Sequence, residues 1–107
     1  MKKRKIEDFM RCGAKMRVLK SLFVGTMVDA YPLLSTNDRA KMRSMEGELR
    51  EICSRLEGCM FRNVPGLSDD YLDVFYGAPD ISNRSPVDAK VVEMAKEMVD
   101  EMFGKAD

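Results

Sequence analysis

The spacing of apolar residues between Asp38 and Phe61 constrains this chain more than any other feature. Met42, Met45, Leu49, Ile52, Leu56 and Cys59 follow one another at intervals of 3, 4, 3, 4 and 3 residues. That alternation predicts a helix with one continuous apolar seam. Burying each large side chain of the seam contributes roughly 1.5–3 kcal/mol, so the seam is expected to be covered and to decide where the helix sits. Cys53 and Met60 widen it, while Arg43, Arg50, Glu51 and Glu57 keep the far side in water. Ser35 to Asp38 approximates a capping box at the start, and Asn63, Pro65 and Gly66 mark the end. Gly47 and Gly58 lie within the helix and would admit a close neighbour. The seam spans only about three heptads, the lower limit for a coiled coil, so a core helix of a small bundle is the favoured reading.

The flanking stretches predict further helices. Over residues 6–20, Ile6, Phe9, Gly13, Met16 and Phe23 share one side, and Arg4, Arg11 and Lys15 another. From Val18 to Val28 the apolar residues run nearly all round, interrupted by Lys20. A helix ending by Tyr31, before Pro32, is favoured there, with a strand over 18–24 as the alternative. The short polar stretch 32–37 favours antiparallel packing of the first two helices. Ser68 opens a short helix in SDDYLDVFYG, with Leu72, Phe75 and Tyr76 packing and Tyr71 at the surface. Ser85, Pro86 and Asp88 open a last helix with Val87, Val91, Met94, Met98 and Met102 along one face. The expected fold is all-α, a small bundle of three long helices and one short one. Completion of the bundle by a second copy is left open. One domain covers residues 1–107, with residues 1–5 a disordered basic start.

Charge and residue usage narrow the function. The net charge is zero, yet residues 1–20 sum to +6 and residues 63–107 to −6. Lys2, Lys3, Arg4, Lys5, Arg11 and Lys15 therefore form the candidate phosphate or nucleic-acid contact. The acidic last helix, with Glu93, Glu97 and Glu101 beside Met94, Met98 and Met102, forms the candidate protein-binding surface, because flexible thioethers adapt to varied partners. No histidine is present, so acid–base and nucleophilic chemistry lack their usual imidazole. Neither a glycine-rich phosphate loop nor a serine nucleophile elbow occurs. Cys12, Cys53 and Cys59 are too few for a four-cysteine zinc site and read as reduced thiols. The sequence thus reads as a cytoplasmic, non-enzymatic interaction or regulatory protein without cofactor, metal or membrane span. It is expected to bind a protein partner or itself, with nucleic-acid association through residues 2–20 as the alternative.

Overall fold

In the computed structural model, residues 5–80 and 84–104 are described. Three α-helices, α1 (Ile6–Ala30), α2 (Thr36–Asn63) and α3 (Pro86–Phe103), are joined by 3₁₀ turns at Tyr31–Leu33 and Asp69–Asp73. No strand occurs among the described residues, so 18–24 is helical. Local signals set the boundaries. Ser35 Oγ accepts from Asp38 N at 3.2 Å, and Ser85 Oγ accepts from Asp88 N at 3.0 Å, satisfying donors that a helix start leaves open. Pro32 ends α1 in a 3₁₀ turn. Arg39 Nε donates to the Tyr31 carbonyl at 2.7 Å, so the first turn of α2 holds the connection.

α1 is the central element. Both α2 and α3 pack against it and touch each other little. Phe23 shares a groove with Met45 and Leu49, while Cys12 lies near Cys53, the order of an antiparallel α1–α2 pair. The core gathers Phe9, Met10 and Ala14 of α1, Cys53 and Met60 of α2, Val74 and Phe75 of the intervening segment, and Val91, Ala95 and Met98 of α3. It therefore occupies one end of the α1–α2 hairpin. The other end, from Leu19 to Ile52, is a two-helix arm with little above or below it. The radius of gyration, 15.5 Å, exceeds the value of about 13 Å expected for a compact chain near this length.

Several expectations are corrected. The α2 seam is only partly covered. Cys53 and Met60, at its edge, are the fully buried residues, while Met42, Leu49, Leu56 and Cys59 are half-buried and Met45 and Ile52 open to solvent. The helix is turned so that one edge of its stripe meets the core and the other borders an open groove beside Leu19 and Phe23. The short helix over 68–77 is instead a 3₁₀ turn, and its changed periodicity buries Val74 and Phe75, half-buries Tyr71 and leaves Leu72 exposed. The close approach expected at Gly47 or Gly58 occurs at Gly13, where a Cβ would collide with the Val74 carbonyl oxygen and side chain. Gly47 faces open space.

The segment between α2 and α3 is fastened by one buried arginine. Arg17 Nη1 lies 2.6 Å from Asp88 Oδ1 and 3.1 Å from the Ala78 carbonyl oxygen. Arg17 Nε donates to the Val74 carbonyl at 3.3 Å, and Nη2 donates to that of Asp73. The guanidinium thus covers carbonyls left open at the end of the 3₁₀ turn and joins three elements. Arg84 adds an outer layer, 3.4 Å from Asp73 Oδ1 and 3.8 Å from Asp88 Oδ2, and donates to the Tyr76 carbonyl at 2.6 Å. Burial pushes the Asp88 carboxyl pKa up, but the hydrogen bond and charge of Arg17, reinforced by Arg84, outweigh it and hold the carboxyl below its ordinary value.

Candidate protein-interaction face

The partial covering of α1 and α2 leaves an apolar surface. Leu19 and Leu22 of α1, Met45 and Ile52 of α2, and Met102 and Phe103 of α3 are all exposed, from 41% at Ile52 to 64% at Phe103. They line two grooves. One, of about 330 Å³, lies between α1 and the end of α3, and includes Cys12, Val18, Leu22, Met102 and Phe103. The other, of about 240 Å³, lies between α1 and α2, and includes Phe23, Met45, Leu49 and Ile52. Leu19 belongs to both, so the two grooves form one continuous face.

The sequence explains why this face exists. Along α1, residues Phe9, Met10, Gly13, Ala14 and Arg17 form the buried side. The all-round apolar stretch that follows exceeds what the core can cover, since α3 and residues 64–76 enclose only one end of the hairpin. Leu22 and Leu19 are left on the outside.

A third concavity, about 580 Å³, lies between the arm and residues Tyr76 to Asp80. Its cations already have partners within the chain. Arg17 serves the network above, Lys20 Nζ donates to the Phe75 carbonyl at 2.8 Å and lies 5.1 Å from the centre of the Tyr76 ring, and Arg50 approaches Glu46 at 3.8 Å. Tyr76 in turn packs toward Ser54 and Glu57, and its pKa is raised by burial first, then by the Glu57 and Cys53 charges. Arg17 and Lys20 thus fasten this segment to α1, while Arg50 and Glu46 pair along α2. Among the described residues, no group of three or more cysteine or carboxylate side chains is placed to hold a metal ion.

The candidate residues on α3 separate. Met98 is buried in the core and Met94 packs half-buried against it, while Met102 lies on the open face. Glu93, Glu97 and Glu101 are exposed. On the basic segment, Lys5, Arg11 and Lys15 are exposed, alongside Glu7 and Asp8, and Lys2, Lys3 and Arg4 lie outside the described residues. Arg17 and Lys20, counted in the +6 of the first twenty residues, are both occupied by carbonyl contacts.

Leu19, Leu22 and Phe103 are absent from the sequence-derived candidates. The apolar residues running all round 18–28 were the available signal, since an apolar surface wider than one stripe needs more than one neighbour. No protein-family model matches the chain, and comparison with curated proteins and with solved structures finds no match.

Proposed function

We propose that this is a small intracellular interaction protein whose working part is the apolar face centred on Leu19. The reading is supported above all by the continuity of six exposed apolar side chains, drawn from all three α-helices, across two grooves that meet. Single exposed apolar residues are ordinary on a protein surface, whereas contiguous patches of several hundred Å² mark interaction sites. Met45 and Met102 add thioethers that adjust to a partner's shape. In this reading a protein surface completes the bundle by covering the arm. The acidic residues Glu93, Glu97 and Glu101 serve as a solvated flank of α3 and not as the contact itself.

Nucleic-acid binding is the weaker reading. Lys5, Arg11 and Lys15 offer three exposed cations on α1, but Glu7 and Asp8 share the same turns and reduce the local field.

Site-directed photocrosslinking in the native host tests the proposal. A benzophenone side chain introduced at Met45 or Met102 is expected to capture protein, while the same group at Glu93 captures little. Equal capture from Glu93, or none from the face, would remove the assignment.

A further inference from the structure

We infer that the occupant of the Leu19 face is a second copy of this chain, docked about a two-fold axis passing near Leu19. The inference rests on the interaction reading above and names its partner.

The size of the face is the first support. Six side chains, each about half open and offering of the order of 100 Å² apiece, give roughly 600 Å² on one copy, at the upper end of the largest patch on an ordinary monomer. Two such faces pressed together remove roughly 1,200 Å², the lower edge of specific, stable interfaces. The figure counts only those six residues, and rim groups add to it.

The second support is the placement of charge. Among the described residues, Lys15 is the one charged side chain lining the α1–α3 groove, and Glu48 the one lining the α1–α2 groove. Both are exposed, and neither forms an ion pair within the described part of the chain. The two grooves meet at Leu19, so the face carries a cation in one half and an anion in the other. A two-fold axis through the middle exchanges the halves. With that axis lying in the interface along the boundary between the grooves, each Lys15 faces the half of the partner that carries Glu48, and the pairing occurs twice. Two identical faces of one charge would repel, and this face avoids that by carrying both signs. The zero net charge of the chain also removes any long-range barrier between copies.

The experiment is sedimentation equilibrium of the full chain across a concentration series, with helicity followed by circular dichroism. The wild-type mass is expected to rise to that of a dimer. Leu19→Glu is expected to stay monomeric with unchanged helicity, since the side chain is already 45% exposed. Lys15→Glu and Glu48→Lys are each expected to weaken self-association about tenfold, because every change acts twice in a two-fold assembly. An equimolar mixture of these two variants is expected to regain wild-type affinity as a heterodimer, which general destabilisation would not produce. A monomeric wild type at every concentration overturns the inference, as does a dimer indifferent to Leu19→Glu or a mixture that fails to recover. A monomer whose Met45 and Met102 positions still crosslink to another protein overturns only the second copy and leaves the interaction reading standing. A monomer without crosslinks removes both.

Discussion

Arg17 and Asp88 meet at 2.6 Å with both side chains sealed from solvent, joining α1 to the first turn of α3. An isolated charge in that position would be costly, but the remaining guanidinium donors reach carbonyls of residues 73, 74 and 78. No buried side-chain nitrogen or oxygen lacks a partner among the described residues.

Removing one member exposes that balance. Asp88→Ala is expected to lower stability by about 3–5 kcal/mol, because the buried guanidinium keeps its charge and loses its counterion. Urea unfolding followed by circular dichroism measures it. An Arg17→Met, Asp88→Leu double variant removes the unpaired charge but leaves three carbonyls without their donor, so it is expected to regain only part of the loss; a double variant less stable than Asp88→Ala would contradict the account.

The same pair sets the acid limit of stability. The Asp88 carboxyl is held below the ordinary aspartate value, close to 3.9 in an unfolded chain. A depressed pKa contributes stability that is present above the unfolded value and lost as pH falls through the folded one. Stability is therefore expected to hold from neutral pH to about 4 as far as this group is concerned, and to decline below that. The decline should be shallower in Asp88→Asn, as read from urea midpoints across an acid series.

Two glycines in helices should respond oppositely to the same change. Gly47→Ala removes backbone freedom and meets open space, so a gain of up to about 1 kcal/mol is expected. Gly13→Ala drives a methyl into the Val74 backbone, and overpacking of about 1–3 kcal/mol outweighs the helical gain. Thermal midpoints of the two variants should move in opposite directions from wild type.

The thiols should divide by position. Cys53 is fully buried and is expected to react with a thiol reagent only on unfolding. The Cys12 pKa is raised by burial first and by the nearby Cys53 next, with Lys15 opposing. Its alkylation at mildly alkaline pH should be slower than that of a free cysteine, and mass spectrometry of peptides sampled over time distinguishes the sites.

Helix boundaries were legible because their causes are local. Ser35 and Ser85 cap within three residues, and Pro32 stops α1 by its ring. The seam on α2 was legible as helix but misleading as core, since periodicity names the apolar side without saying how much of it a neighbour reaches. Met94 and Met98 share their face with Met102, yet only the last lies beyond the core. Arg17 read as one more cation in a basic segment, because nothing near it in sequence reveals an aspartate 71 residues away. The apolar face combines positions 19, 22, 45, 52, 102 and 103, and only the packing of three helices brings them together.

That separation also governs the order in which the molecule is made. During synthesis the arginine near the start emerges long before the carboxylate that will neutralise it, and the first two helices can pair while the ion remains hydrated. Closure of the core must wait for the last helix to appear. A ribosomal product halted ahead of Pro86 would lack Val91, Ala95 and Met98, leaving Phe9, Met10 and Ala14 without that side of the core, and proteases should clear it quickly.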